Sequence, residues 1–180
     1  MDAMQNTIVV RRFVEELWNG RNLDLADTLF SSDCRTHQLR SGIPMEAVPR
    51  GPEAVKKHMA EWLAGFPDLR FEIEQTLAED DRVLSQWVMH GTHTGTWLGI
   101  PATGRTVSIR MMTVHRIRDG KISEDWVLVE SLGFFQQLGA LPPTSAILSD
   151  FVKRLSDQSQ SAQGGVHSGG RLSPNPGRKS

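Results

Sequence analysis

The sequence predicts an α+β fold in which helices come first and a curved antiparallel sheet follows, wrapped around a pocket for a small organic molecule. Three observations predict it. Apolar residues recur at helical spacing as far as Phe66 and at strand spacing beyond Pro67. Three later segments are rich in Val, Ile, Thr, Trp and Met and are separated by turn residues. Asp119-Gly120 lies between two of them as a two-residue hairpin turn whose positions need positive φ.

The elements follow in order. From Ile8 to Trp18, the residues Val10, Phe13, Val14, Leu17 and Trp18 form one face of a helix that Asn19-Gly20 ends. Leu25, Ala26, Leu29 and Phe30 form the stripe of a short second helix, and a loop or short strand with Asp33 and His37 follows. Residues 38–50 carry Gly42, Pro44 and Pro49 without a period and are expected to form a loop over the pocket mouth. Gly51-Pro52 opens a helix whose face is Val55, His58, Met59, Trp62, Leu63 and Phe66. Leu69, Phe71 and Ile73 then alternate with polar residues, and Glu79-Asp80-Asp81 turns the chain. Strands are expected over 82–93, 105–118 and 121–130, and a helix near Leu132 to Leu138, ended by Gly139. The domain therefore spans 1–141. Residues 142–155 are expected to form a helix that could dock back through Ile147, Leu148 and Phe151, and 156–180, rich in Ser, Gln, Gly, Pro and basic residues, are expected to be a disordered tail.

Composition narrows the function. With 180 residues and 38% hydrophobic content the chain builds one core. A net charge of −1, from 20 basic and 21 acidic side chains, argues against nucleic acid and membrane surfaces as partners. The single cysteine, Cys34, fits a reducing, cytoplasmic compartment and excludes a multi-thiolate metal site. Residues 1–7 lack the basic-then-apolar pattern of a secretory leader, so none is expected, and no apolar run of about 20 residues occurs in the sequence. The motifs for a nucleophilic serine, a P-loop, a dinucleotide fold and metal-binding histidines are all missing, so no cofactor and no metal are expected.

The stretches FVEELWNGRNLDLADTLFSSDCRTH, GTHTGTWLGIPATGR and VHRIRDGKISEDWVLVESLGFFQQLG resemble the SnoaL-like polyketide cyclases of the nuclear transport factor 2-like superfamily. G-x-P-x-T-G-R, D-G-K-I-x-E-x-W and Q-Q-L-G occur in that order. The resemblance implies a cone-shaped α+β barrel, often a homodimer. Its relatives include aldol cyclases, limonene epoxide hydrolases, ketosteroid isomerases, dehydratases and non-catalytic binding proteins, so fold alone leaves function open. Anchored on Asp119-Gly120-Lys121-Ile122, the family's acid–base aspartate falls on Val127 and its assisting histidine on Thr113. The epoxide hydrolase aspartate also falls on Val127.

Candidate residues follow from strand faces. A regular hairpin pairs Ile117 with Ile122, Val114 with Asp125, Met112 with Val127 and Arg110 with Val129. Arg110, Met112, Val114, Asp125 and Val127 then share the cavity face, and His115 takes the other; a bulge would exchange part of these sets. Asp125 is the candidate acid–base group, since apolar neighbours raise a carboxyl's proton affinity. Arg110 is the candidate stabiliser of a developing enolate. His37 is a second candidate base. The plainer readings are a surface or ion-paired aspartate and its salt-bridge arginine. Trp18, Trp62, Phe66, His90, Met112 and Val127 are candidates for binding a flat hydrophobic substrate, with ordinary packing as the alternative. His58 reads as a packed core histidine. These features point to a cofactor-independent enzyme that moves a proton beside a carbonyl of a polyketide- or terpenoid-like molecule, leading to cyclisation or isomerisation. A non-catalytic binding protein and an epoxide hydrolase are the alternatives.

Overall fold

The computed structural model describes residues 2–38, 48–49 and 51–164. The chain divides into two compact units, Met1–Leu141 and Pro142–Ser180.

In the first unit, helix α1 (Ala3–Arg12) starts where Asp2 accepts a hydrogen bond from the Gln5 N–H at 2.8 Å. It continues as a π-helical segment, Phe13–Asn19, closed by a Gly20 N–H to Glu15 C=O bond of 3.0 Å. In an α-helix, residues five apart diverge by about 140°. The wider i to i+5 turn brings Phe13 and Trp18 to the same side, 6.4 Å apart and edge to face. After α2 (Leu25–Leu29) come β1 (Phe30–Gln38), the two-residue β2 (Val48–Pro49) and α3 (Pro52–Gly65), with proline in its first turn. The expected cover over the pocket mouth falls mainly on residues 39–47, outside the described residues.

Strands β3 (Arg70–Glu79), β4 (Arg82–Thr92), β5 (Thr106–Arg118) and β6 (Lys121–Val129) then form a meander, and α4 (Ser131–Leu138) ends at Gly139 with φ +77°. The six-stranded sheet has the order β2-β1-β6-β5-β4-β3. It is antiparallel except where β1 runs parallel to β6, because the long crossover from β1 returns through α3 and the meander before β6 is laid down. The expectation of a purely antiparallel sheet is corrected at that one pair. Val10, Phe13, Leu17, Val55 and Met59 from the helices pack on Val83, Trp87, Met89, Ile109, Ile117 and Ile122 from the sheet.

The expected pairing of β5 with β6 is also corrected. Ile117 pairs with Ile122 as predicted, but the next pair is Arg116 with Glu124, which leaves Ser123 as a bulge. His115 then faces Asp125, Thr113 faces Val127 and Met112 faces Leu128. One extra residue moves every β5 partner by one place.

The second unit contains α5, which runs Thr144–Gly164, past the composition change at Ser156. Leu148, Phe151, Val152 and Leu155 on it are exposed. The rest of the predicted tail, residues 165–180, lies outside the described residues.

Candidate active site

Helices and sheet enclose a cavity of about 40 Å³. The π-helical segment contributes Phe13 and Trp18, α3 contributes His58 and Trp62, and β3 contributes Phe71. Strand β4 adds Trp87 and Met89, β5 adds Met111, Thr113 and His115, and β6 adds Asp125 and Val127. The β4 and β5 positions are all odd-numbered, as one face of two regularly paired strands requires. The rings meet edge to face: Trp18 with Phe71 at 5.0 Å, Phe71 with Trp87 at 5.3 Å and Phe13 with Trp87 at 5.6 Å. They make a rigid apolar wall suited to a flat molecule.

The polar groups are few and converge. Asp125 is 2% exposed and His115 is fully buried. They sit opposite each other on β6 and β5, and cross-strand partners hold their Cβ atoms about 5 Å apart. Thr113, also buried, lies one pleat further along. The cavity has a deep end at His115, Asp125, Phe13 and Trp87 and a half-buried end at His58, Trp62, Met111 and Val127.

A loop supports the half-buried end. Thr94 and Gly95 donate backbone hydrogen bonds to the Gly65 C=O, each at 3.1 Å, and a side chain at Gly95 would strike the Ala64 carbonyl. This close approach seats Trp97 against Trp62, with ring centres 4.5 Å apart. Buried His93 anchors the loop's base: its Nδ1 accepts the Thr103 backbone N–H at 3.3 Å, and burial pushes its pKa down.

The structure brings Asp125, Trp18, Trp62 and Val127 to the cavity, and Phe66 packs behind Trp62 at 5.7 Å. The others lie elsewhere. Arg110 and Met112 were expected beside Asp125; the bulge places them on the outer face, where the Arg110 side chain is 67% exposed and pairs with Glu74 at 3.4 Å. Glu74 is in turn held below its usual pKa, chiefly by that contact. His90 is exposed on the same outer face. His37 stacks on Trp126 at 4.8 Å and meets Glu124 Oε1 through Nε2 at 2.6 Å. That hydrogen bond, with Arg116 beside it, keeps the Glu124 carboxyl below its ordinary range.

Two titratable cavity residues stood outside the candidates: His115 was assigned to the other face, and His58 was read as core packing. For His115 the sequence did hold a signal. Charged Arg110, Arg116 and Arg118 are all even-numbered on β5 while Val107, Ile109 and Ile117 are odd, so parity within that one strand puts His115 inside. Ile122 is even and Asp125 odd, and that mismatch marks the bulge. Among the described residues no group of three His, Cys, Asp or Glu side chains is placed to hold a metal ion, and no helix is long and apolar enough to cross a membrane.

A curved sheet closed by N-terminal helices over an apolar cavity with a buried Asp–His pair defines a small-molecule pocket protein of the α+β barrel class. The sequence profile of the SnoaL-like polyketide cyclase family matches residues 8–138, and the chain belongs to that family. It is similar to aklanonic acid methyl ester cyclase DauD of Streptomyces sp. (strain C5), 32% identical over 142 residues covering 76% of this chain and 83% of that protein. A second such cyclase, DnrD of Streptomyces peucetius, is 31% identical over 140 residues, covering 76% and 92%. Among solved structures, TsrD from Streptomyces laurentii superposes with a TM-score of 0.68 at 26% identity, covering 78% of this chain and 99% of that one.

Proposed function

We propose that the protein is a cofactor-independent polyketide cyclase that closes a ring by intramolecular aldol addition, with Asp125 as base and His115 as its proton-sharing partner. The observation that carries this reading is the pairing of two buried ionisable groups at the deep end of an aromatic cavity. Asp125 removes a proton from a carbon beside a carbonyl. The resulting enolate attacks a second carbonyl carbon of the same molecule, a C–C bond forms, and the former C=O π pair becomes an alkoxide that takes a proton. Product and substrate are isomers, so no oxidant or co-reactant is consumed. Val127 and Thr113, where the resemblance places the family's acid–base pair, lie on the same cavity face one pleat away from Asp125 and His115. The pair is thus displaced along one hairpin, and the inner wall is kept.

The similarity to DauD and DnrD favours a polyketide methyl ester as substrate. The cavity, about 40 Å³, is well under the ~300–1,000 Å³ of ordinary ligand pockets. Substrate access therefore requires half-buried Trp62 and Met111 to swing aside. Exposed Met112 and Leu128 beside Trp126 on the outer face favour a dimer formed through the sheet, which sedimentation at two concentrations tests.

The test of the reaction is turnover of aklanonic acid methyl ester, followed by chromatography for an isomer of unchanged mass. Wild type converts it and His115→Phe is slowed by about 10²-fold. Tight binding without conversion, unchanged in Asp125→Asn, would make the protein a carrier instead.

A further inference from the structure

We infer that His58 is a second catalytic residue, the donor of the proton that the acceptor carbonyl takes up as the ring closes. This rests on the aldol reading above. An aldol addition has two reacting stations: a carbon that loses a proton and a carbonyl oxygen that gains one. The His115–Asp125 pair serves the first.

His58 lies on α3 and lines the same cavity, and among the described residues it is the one titratable lining residue outside the pair. Its imidazole stands edge to face between Trp18, at 6.2 Å, and Trp62, at 6.3 Å. Trp18 in turn meets Phe13 at 6.4 Å, and Phe13 meets His115 at 5.3 Å. Two aromatic rings of wall therefore separate His58 from His115. A flat substrate lying on that wall has one edge at the pair and the other at His58.

Exposure separates the two stations as well. His115 and Asp125 are sealed, whereas His58 is half-buried at the open end, where it exchanges protons with solvent between turnovers. His58 gives its ring proton to the alkoxide oxygen as the C–C bond forms and regains one from water. The proton taken by Asp125 returns to solvent when product leaves.

Deuterium wash-in separates the stations. The wild type, His58→Phe, His58→Gln and Asp125→Asn are each mixed with aklanonic acid methyl ester in D₂O. Mass spectrometry follows isotope entering residual substrate, and chromatography follows ring closure. Both His58 variants lose ring closure by about 100-fold or more and keep wash-in within about threefold. Phe preserves the ring's volume and Gln the polarity, and a melting curve for each shows which variants are folded. Ring closure within about fivefold of wild type in a folded variant, or wash-in falling together with ring closure, overturns the assignment. Wash-in that persists in Asp125→Asn overturns the Asp125 reading instead, whatever His58 does.

Discussion

The two faces of the β5–β6 hairpin both carry polar groups and treat them in opposite ways. On the outer face, Arg116 bonds Glu124 and reaches Asp81 at 3.4 Å, while the guanidinium carbons of Arg116 and Arg82 stand 5.3 and 5.6 Å from the Trp126 ring centre. His37 completes the cluster. Charges there are paired with opposite charges near water, and the Glu124 carboxyl is held below its usual range, which makes it a poor proton-transfer group. On the inner face, Asp125 and His115 are cross-strand partners buried among aromatic rings. A proton moving between such groups and a bound molecule exchanges with solvent only slowly. The bulge at Ser123 decides which set faces which way.

Breaking the inner face should have the largest effects on stability. Trp87→Ala removes a ring that touches Phe13 and Phe71, and should cost about 3–5 kcal/mol in chemical denaturation. Trp126→Ala on the outer face loses two cation–π contacts and the stack on His37, and should cost about 1–2 kcal/mol by the same measurement.

Acid should sharpen the contrast. Burial lowers the His93 pKa below its ordinary 6.5, so the unfolded chain binds a proton there before the native one does. Stability is complete above about pH 6.5 and falls as pH drops below it. The lowered Glu124 pKa acts in the same direction but only below its ordinary 4.5. In melting curves against pH, His93→Gln, which keeps an acceptor for the Thr103 N–H, should flatten the first part of the fall and leave the second. The smallest effect is expected for Arg110→Met: within about 0.5 kcal/mol in denaturation, as for an exposed ion pair.

Much of the fold was legible because periodicity is a local signal. The switch from helical to strand spacing at Pro67, the Asp119-Gly120 turn and the Gly139 stop all appear where the residues place them. The parallel β1–β6 pair was not legible, since a nine-residue segment with Asp33 and His37 does not say which strand edge it will join. The site was half legible. Asp125 and Val127 were assigned to the cavity, but their partners were counted through a regular turn, and that single count exchanged His115 for Arg110. His58 looked like core because its stripe of Val55, Met59 and Trp62 is core on one side and cavity on the other.

The most direct test compares Asp125→Asn with Arg110→Met, both checked for folding, as kcat/KM for ring closure of aklanonic acid methyl ester. If the inner pair performs the chemistry, Asp125→Asn loses about 10²–10⁴-fold and Arg110→Met stays within about twofold. Near-wild-type activity in Asp125→Asn, or an equal loss in Arg110→Met, would contradict it.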